Sequence, residues 1–386
     1  MFQVKNSECS LLSAMGTNNS ISDKPKLILV GGFLGAGKTT VLAVLSELLQ
    51  ERYSTVGLIT NDQSTGLVDT HILELDGADV EEVSGSCFCC DFNGFIKAVN
   101  YLISHSNCEL ILAEPVGSCT DLSATILQPF KAMFADEIDL APLSVLVDPI
   151  KCGVMLAQSF HFKEGPSYIY GKQLEEADYI VVNKKDLLTA GESAEIKRLL
   201  EDRFPEHPLM WISATEKTGV KEWLEEILND PCAGRRIAQV NYDTYALAEA
   251  ATGWYNGSFL IMENTGAPVD WQVFHNTFLK LLEQAFDYEK LRIDHLKTFL
   301  RGGASHLLGN ITGNGHGIAI RGPGFLAVSA RLVLNIRAET SHVLINEMVE
   351  DVIHLLSEQG YQFETISVKH LTPGRPLPQY RYHEII

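Results

Sequence analysis

Short apolar runs alternate with amphipathic stretches over residues 26–228 of the chain. The apolar runs predict buried strands and the amphipathic stretches predict helices, because a strand covered on both faces is continuously apolar whereas a surface helix carries one apolar stripe. The strands are predicted at residues 26–30, 55–60, 109–113, 143–147, 179–182 and 209–212. The helices are predicted at residues 39–51, 93–104, 172–176, 193–203 and 220–228. This alternation predicts an α/β fold with a parallel sheet and helices on both faces.

The pattern changes after residues 229–240, which have the composition of a linker. The following order is strand, helix, two strands, helix and strand, predicted at residues 243–262, 271–285, 291–300, 324–337, 342–358 and 363–369. This order predicts a smaller α+β domain of the ferredoxin-like type. The glycine-rich stretch from Gly302 to Gly324 is predicted to be a long loop or a hairpin, and no role follows for it.

The first strand leads into GGFLGAGKTT, and a helical pattern follows. The spacing matches the P-loop G-x-x-x-x-G-K-[ST], whose backbone amides surround phosphates while the lysine contacts the β- and γ-phosphates and the hydroxyl binds Mg²⁺. The predicted nucleotide ligands here are Gly32, Gly35, Ala36, Gly37, Lys38, Thr39 and Thr40. The motif indicates a nucleoside triphosphate as ligand and defines residues 25–228 as a P-loop domain, with 241–386 as the C-terminal domain.

A second nucleotide motif follows the strand predicted at residues 179–182. Asn183, Lys184 and Asp186 match N-K-x-D, in which the aspartate can accept the N1–H and N2–H of guanine, a pairing that adenine does not offer. Ser213 and Ala214, after the next strand, fit the loop that backs a guanine base. Together with the P-loop, the motif predicts GTP as the ligand.

Two further strand ends carry candidate catalytic groups. Glu114 and Gly117 form a [DE]-x-x-G segment, in which the carboxylate can hold the Mg²⁺ shell and the glycine amide can sense the γ-phosphate. Asp62 ends another strand, where an open α/β sheet places its ligands, and can bind Mg²⁺ or orient the attacking water. Lys38, Asp62, Glu114 and Gly117 are thus the predicted catalytic residues, with Thr39, Asp62 and Glu114 around Mg²⁺.

Three of the eight cysteines fall at Cys87, Cys89 and Cys90. Three thiolates in four residues can hold one soft or borderline metal such as Zn²⁺ or Co²⁺ and leave a position open for exchange. Cys119, two residues after Gly117, is a candidate for completing the shell. A redox dithiol is the competing interpretation, because thiols near a helix N-terminus have lowered pKa values.

Composition and charge exclude other classes. The formal net charge of −19 argues against a nucleic-acid surface. No apolar run approaches the roughly 18 residues of a membrane span, and the N-terminus has no continuous apolar centre of the signal-peptide kind. We therefore expect a cytoplasmic protein without membrane or nucleic-acid partners. Residues 1–24 are expected to be a disordered extension, with either Met1 or Met15 as the start of translation.

These motifs, in this order, resemble the CobW-like metallochaperone GTPases, relatives of the urease and hydrogenase maturation proteins UreG and HypB. The resemblance covers residues 26–228 and also includes EEVSGSCFCC, AEPVG and VLVDP. It implies slow hydrolysis of Mg²⁺-GTP coupled to metal capture at the three cysteines, and delivery to a client metalloenzyme or a corrinoid-related protein, with a homodimer left open. Ser86 and the pair Pro115 and Val116 depart from the usual family pattern.

Three functional classes remain open. The first is the GTP-dependent metallochaperone. The second is a regulatory GTPase chaperone that gates a cofactor-bearing partner and uses its cysteines for redox sensing or structure. The third is a nucleotide-dependent kinase or ligase of small molecules, against which the guanine motif and the Glu114 segment argue.

Overall fold

The computed structural model describes residues 24–62, 79–158, 165–315 and 317–386. The side chains of Asp62, Asp79, Ser84, Ala157 and Gln158 lie outside this description, as does nearly all of the predicted N-terminal extension with both candidate start methionines. The described chain forms two compact units. The first contains residues 24–62, 79–158, 165–241 and 376–386, and the second contains residues 242–315 and 317–375.

The first unit is built on one parallel sheet. Its strands are β1 (Lys26–Gly32), β2 (Val56–Asp62), β3 (Asp79–Ser84), β4 (Leu110–Glu114), β5 (Asp139–Leu140), β6 (Ser144–Val147), β7 (Tyr179–Val182) and β8 (Leu209–Trp211). They are arranged in the order β3-β2-β4-β1-β6-β7-β8, and β5 also pairs with β1. The six predicted strands are all present, and the predicted α/β fold is confirmed.

The helices of this unit are α1 (Lys38–Gln50), α2 (Phe92–His105), α3 (Gln128–Phe134), α4 (Pro149–Gln158), α5 (Gly165–Glu176), α6 (Ala190–Arg203) and α7 (Val220–Asn229). A five-residue π turn at Ser123–Leu127 leads into α3. The sequence did not predict α3 or α4. Residues 121–130 are buried throughout, so the start of α3 shows no polar face by which a helical period could be recognised.

The sheet positions the site because its strands are parallel. β1, β2, β4 and β6 all end at the same edge, where an open α/β sheet binds its ligands. The P-loop, Asn61, Glu114 and Asp148 follow or end these four strands. β3, which the sequence did not predict, is an edge strand of sequence DVEEVS whose acidic residues hide its strand pattern.

The second unit contains α8 (Tyr242–Ala250), β9 (Gly253–Glu263), β10 (Val269–Asp270), α9 (Trp271–Tyr288), β11 (Ile293–Gly302), β12 (Ser305–Ile311), β13 (Ala319–Arg321), β14 (Leu326–Ala327), β15 (Ser329–Ala338), α10 (His342–Glu358) and β16 (Tyr361–Leu371). Its antiparallel sheet has the order β13-β12-β11-β15-β9-β16. Within it, β11, β15, β9 and β16 follow the ferredoxin-like order, so the predicted α+β type is confirmed. β12 and β13 form the hairpin predicted between Gly302 and Gly324.

Two segments differ from the sequence-based assignment. The strand predicted at residues 243–262 is wrong over its first part, where α8 forms instead. Its sequence YDTYALAEA is rich in alanine, and Tyr245, Ala248 and Glu249 are buried at the spacing of one helix face. The last segment, Pro376–Ile386, groups with the first unit, although the sequence placed it in the C-terminal domain. In the described part of the chain, no helix has the length and apolar character needed to cross a membrane.

Candidate functional site

The P-loop closes tightly around its own lysine. Lys38 is buried, and its Nζ donates a hydrogen bond to the Gly32 carbonyl at 3.0 Å. Gly37 has a φ of 92°, and a Cβ atom at this position would lie 2.5 Å from Nδ2 of Asn183. A larger residue would therefore be strained and would collide with the guanine motif.

Asn183 connects three loops at the carboxyl edge of the sheet. Its Nδ2 donates to the Ala36 carbonyl in the P-loop at 3.0 Å, and its Oδ1 accepts the amide of Ala214 at 3.1 Å. The side-chain hydroxyl of the neighbouring Ser213 accepts the amide of Glu216. The predicted residues of the two nucleotide motifs are thus brought together, and the exposed Asp186 follows at the rim.

Lys184 links the same loops by charge. Its Nζ lies 2.8 Å from the Gly35 carbonyl and 2.7 Å from Oδ2 of Asp148. Burial opposes ionisation of Asp148, but the charge and hydrogen bond of Lys184, together with the amide of Lys151, hold its pKa below the usual range. Lys151 also donates its Nζ to the Leu34 carbonyl at 3.0 Å. The aspartate is therefore an anion that fixes a lysine against the P-loop.

Thr39 and Glu114 lie together in the position predicted for Mg²⁺. The Thr39 hydroxyl donates to Oε2 of Glu114 at 3.1 Å, and Lys38 Nζ is 3.8 Å from Oε1 of the same carboxylate. A hydroxyl and a carboxylate are hard oxygen donors of the kind that Mg²⁺ prefers, so this pair fits the ion. The side chain of Asp62, the third predicted contributor, lies outside the described residues.

The segment from Glu114 to Cys119, here called the sensing loop, contacts the P-loop directly. A Cβ atom on Gly117 would lie 2.7 Å from Cδ2 and 3.2 Å from the backbone nitrogen of Leu34. The buried Gln173 donates to the carbonyls of Gly117 at 3.0 Å and Cys119 at 2.7 Å. The backbone of Gly117 therefore lies close to Leu34 of the P-loop, and Gln173 fixes the loop from the other side.

The C-x-C-C segment, residues 87–90, is fixed to the end of β2 by Asn61. Asn61 Oδ1 accepts the amide of Phe88 at 3.0 Å, and its Nδ2 donates to the carbonyls of Ser86 at 2.7 Å and Val83 at 2.8 Å. Asn61 is buried. Asn61, which holds the C-x-C-C segment, is therefore directly followed in the sequence by Asp62, one of the residues predicted to contact Mg²⁺.

The three sulfurs of this segment form a compact cluster. They lie within 4.8 Å of one another, with 3.1 Å between the Sγ atoms of Cys87 and Cys89 and 3.9 Å between those of Cys89 and Cys90. Cys87 and Cys89 are buried, whereas Cys90 is partly exposed. The predicted metal ligands are thus brought together.

The thiols differ in acidity because they share hydrogen bonds. Interactions with the thiols of Cys119, Cys89 and Cys90 lower the pKa of Cys87. The same network raises the pKa of Cys89, and interaction with Cys87 raises the pKa of Cys90 to about 11. The cluster therefore favours one thiolate, at Cys87, surrounded by thiol donors, and a metal that displaced their protons would bind more tightly as the pH rises.

The C-terminal segment, Pro376–Ile386, lies along these cysteines within the first unit. The amide of Leu377 donates to Cys90 Sγ at 3.1 Å, and the amide of Gln379 donates to the Cys89 carbonyl at 2.9 Å. Arg381 Nε forms a 2.6 Å ion pair with the buried Asp121. The sequence does not predict this contact, because 286 positions separate Cys90 from Pro376 and no sequence motif connects the two segments.

Behind the sensing loop lies a buried acidic pair. Oε1 of Glu176 accepts the Thr120 hydroxyl at 3.0 Å, and Oε2 accepts the amide of Ser123 at 2.9 Å. Burial and then the neighbouring Asp121 carboxylate raise the pKa of Glu176 to about 8. Glu176 therefore changes charge near neutral pH.

We expect the ionisation of Glu176 to make a contribution to the stability of the first unit that falls as the pH rises from about 5 to about 8. Over this window the folded state holds a proton on Glu176 that the unfolded state has lost, so full deprotonation costs about 5 kcal/mol of unfolding free energy, at about 1.4 kcal/mol for each unit by which the pKa is raised. Glu176→Gln should flatten the profile, since the amide can still accept from Ser123 and donate to Thr120. Urea unfolding at several pH values measures this, and an unchanged slope in the variant would refute the assignment.

Asn61, Asp148, Lys151 and Gln173 hold the loops of the site together, and sequence reasoning did not assign these contacts. Asn61 lies at the end of β2 and Asp148 directly follows β6, so their position at the carboxyl edge was a usable signal, and Lys151 lies in the first turn of α4 just beyond Asp148. Gln173 had none, because it lies inside α5 and acts only through carbonyls of a distant loop.

The first part of the chain is similar to known proteins. Residues 26–210, just under half of the chain, match the model of the CobW/HypB/UreG nucleotide-binding domain. The zinc chaperone YeiR of Escherichia coli (strain K12) is 29% identical over 179 residues, which are 44% of this chain and 49% of that protein. The zinc chaperone CobW of a Sinorhizobium species is 26% identical over 223 residues, which are 51% of this chain and 61% of that protein.

A solved structure is also similar. HypB from Helicobacter pylori in complex with nickel is 15% identical, with a TM-score of 0.41 over 58% of this chain and 93% of that one. The chain spans only about half to six tenths of the length of the two curated relatives.

Proposed function

We propose that this chain binds and hydrolyses Mg²⁺-GTP and couples the nucleotide state to a metal ion held at Cys87, Cys89 and Cys90. The match of residues 26–210 to the model of the CobW/HypB/UreG nucleotide-binding domain supports the nucleotide part of this proposal. The observation that carries the proposal is that nucleotide and cysteine elements share one edge of the sheet. Asn61 holds the C-x-C-C segment at the end of β2, which pairs with β4 in parallel, and β4 ends at Glu114. The names of the relatives YeiR and CobW, both zinc chaperones, support a metal function.

Nucleotide binding would replace the internal contacts of the P-loop. Lys38 would exchange the Gly32 carbonyl for the β- and γ-phosphates, and the backbone amides before α1 would surround them. Asp186 would accept the two guanine N–H groups while Asn183 keeps the motif against the P-loop. Gly35, Ala36, Thr40, Ser213 and Ala214 would complete the binding surface.

Hydrolysis would depend on Thr39 and Glu114. Mg²⁺, when bound, supplies charge neutralisation at the transferring phosphoryl group. Thr39 would offer its hydroxyl to the ion, and Glu114 would hold the ion's shell directly or through water. Asp62 would contribute to the same shell or orient the attacking water. Gly117 would sense the γ-phosphate through its amide, so that loss of phosphate changes the sensing loop.

A second candidate is a regulatory GTPase with redox-active thiols. The separation of 3.1 Å between the sulfurs of Cys87 and Cys89 favours it, because a thiolate beside a thiol is prone to oxidation. Loss of metal binding with retention of a reversible Cys87–Cys89 disulfide would identify this function. A kinase or ligase would instead transfer the γ-phosphate to an acceptor, whereas a GTPase releases inorganic phosphate.

Titration of the reduced chain with Zn²⁺ and Co²⁺, with GDP and then with a non-hydrolysable GTP analogue, tests the proposal. We expect one ion per chain, with an affinity that depends on the nucleotide. Absence of binding in both states would favour the redox candidate. The metal's identity, the client metalloenzyme or corrinoid-related protein, the homodimer and the cytoplasmic location stay predictions.

Replacing Cys87, Cys89 and Cys90 together with serine should remove the metal while leaving GTP affinity in place. The nucleotide contacts described above involve none of the three side chains. Equilibrium dialysis with Zn²⁺ measures the stoichiometry, and a fluorescent GTP analogue measures nucleotide binding. Cys108→Ala, which removes a buried thiol outside the C-x-C-C segment, is the matched control. A stoichiometry that survived the triple change would place the metal elsewhere.

A further inference from the structure

We propose that Cys119 of the sensing loop is a fourth thiolate ligand of the same metal ion, and that Cys90 is the ligand that gives way when the ion leaves. This inference rests on the proposed metal function and assigns roles within that site. Cys87, Cys89 and Cys119 then hold the ion from inside the fold, and Cys90 closes the site toward the surface.

The Cys119 thiol lies beside the C-x-C-C segment. It interacts with the thiols of both Cys87 and Cys89, and all three side chains are at most 6% exposed. In a tetrahedral zinc site with Zn–S bonds of about 2.3 Å, neighbouring sulfurs lie about 3.8 Å apart. The separations of 3.1 Å and 3.9 Å within the C-x-C-C segment lie on either side of this value. The sulfur spacing in the C-x-C-C segment is therefore close to that of a zinc–thiolate site, and the Cys119 thiol, which interacts with two members of that segment, is placed to supply a fourth sulfur.

The backbone of Cys119 connects this thiol to the nucleotide side. Its amide donates to the Val116 carbonyl at 2.8 Å, and its carbonyl accepts from Gln173 at 2.7 Å. Gly117, two residues earlier, packs against the P-loop backbone at Leu34. A displacement of Gly117 by the γ-phosphate would therefore move the Cys119 sulfur relative to the cysteines that Asn61 holds.

Cys90 differs from the other three cysteines in exposure and in partners. It is partly exposed, and its sulfur accepts the amide of Leu377 from the C-terminal segment at 3.1 Å. An N–H···S hydrogen bond withdraws charge from a thiolate and so weakens its bond to a metal. The weakest metal bond thus lies at the surface, where an acceptor can attack.

Each thiol that ligates the ion loses its proton to solvent, and no electron is transferred. An acceptor ligand that replaces Cys90 forms one metal bond as the Cys90–metal bond breaks, and Cys90 recovers a proton. The step therefore needs no oxidant or reductant.

The experiment compares Cys119→Ser and Cys90→Ser in the reduced full chain, with Cys108→Ala as control. Co²⁺ titration, followed by the thiolate-to-Co²⁺ charge-transfer absorption, gives affinity and thiolate number in the presence of GDP or a non-hydrolysable GTP analogue. Cys119→Ser should weaken Co²⁺ binding by more than about 100-fold, since even partners of ligands are worth 10- to 100-fold. It should also abolish the difference between the two nucleotides.

Cys90→Ser should weaken Co²⁺ binding clearly less than Cys119→Ser does and should keep the nucleotide dependence, because Cys90 is partly exposed and its sulfur already accepts the Leu377 amide. Its ion should pass to a chromophoric chelator faster than from the wild type, since one coordination position is open. GTP binding by each variant checks that the fold is intact. X-ray absorption at the zinc edge of the wild-type protein counts the sulfur ligands independently of any variant, and four are expected.

Cys119→Ser with wild-type affinity and nucleotide dependence, or three sulfurs at the zinc edge, would overturn the assignment of Cys119 while leaving the proposed function standing. A loss in Cys90→Ser as large as that in Cys119→Ser would overturn the role of Cys90. Absence of metal from the wild-type chain would overturn both the inference and the proposed function.

Discussion

Replacing Lys38 with alanine is expected to lower the affinity for Mg²⁺-GTP by at least about 100-fold, because hydrogen bonds to a charged group are worth about 1.5–3 kcal/mol each and 1.4 kcal/mol is a factor of ten. Lys38 is buried with its Nζ 3.0 Å from the Gly32 carbonyl, where the P-loop turns toward the phosphates. The structure thus holds the ammonium inside the loop. Calorimetric titration with a non-hydrolysable GTP analogue measures the loss.

A matched lysine separates the effect of position from that of charge. Lys197→Ala removes an exposed lysine whose partner is Glu201 on the same helix, and it should leave GTP affinity unchanged. Lys38→Ala also leaves the buried Glu114 without a cation at 3.8 Å, so thermal unfolding must show that the variant is folded. A folded Lys38→Ala variant with wild-type affinity would contradict the P-loop assignment.

The parts of the site that the sequence predicted are those in which chemistry is confined to a few consecutive residues. The P-loop, N-K-x-D and C-x-C-C motifs each place their functional groups within a short run of consecutive residues, so their spacing in the sequence is informative by itself. Their convergence followed from the strand pattern, because parallel strands end at one edge of the sheet. Asn183 is an example, because its side chain forms hydrogen bonds with the backbones of Ala36 and Ala214, and these three residues follow different strands of the parallel sheet at the same edge.

The parts that could not be predicted depend on contacts between segments that are distant in the sequence, or on segments that are buried throughout and so show neither the helical nor the strand periodicity. Gln173 donates to the carbonyls of Gly117 and Cys119 from inside a helix, and the residues next to it in the sequence carry no motif for that contact. Leu377 acts through its backbone amide, a group that every residue except proline possesses. No sequence pattern distinguishes such contacts.

The sequence-based assignment of secondary structure differs from the structure at α8 and β3, for two physical reasons. α8 was read as part of a strand because its apolar residues continue into β9, and only tertiary packing of Tyr245 and Ala248 shows the boundary. β3 was missed because an edge strand at the sheet margin tolerates the acidic residues Glu81 and Glu82, which lower its strand propensity. In both cases the position of the segment in the folded protein, and not its own sequence, determines whether it forms a helix or a strand.

Replacing Asp186 with asparagine is expected to change the base that the chain prefers. Aspartate offers two acceptor oxygens to the N1–H and N2–H groups of guanine, whereas asparagine offers one acceptor and one donor. The amide NH₂ would face the guanine N2–H₂, and a donor facing a donor removes one hydrogen bond and leaves another polar group unpaired. We expect GTP affinity to fall by at least about 100-fold, because sites built on such pairs reject mismatched ligands by larger factors still.

Xanthosine triphosphate provides the rescue that separates base reading from general damage. Xanthine keeps N1–H but carries a carbonyl at C2, so the asparagine oxygen can accept the first and its NH₂ can donate to the second. Asp186→Asn should therefore bind xanthosine triphosphate more tightly than GTP, the reverse of the wild-type order. Glu216→Gln, which neutralises an exposed acid beside Ser213, should keep the wild-type order.

The structure makes this reversal specific to the base. Asp186 is exposed, while Asn183 and Lys184 hold the motif through the P-loop carbonyls of Ala36 and Gly35. The substitution therefore leaves the scaffold and the phosphate contacts in place, and thermal stability should not change. Competition of GTP, xanthosine triphosphate and ATP against a fluorescent nucleotide gives the three affinities. If the variant kept the wild-type ratios, the base would be read by other residues, and the assignment of Asn183, Lys184 and Asp186 as the guanine site would be wrong.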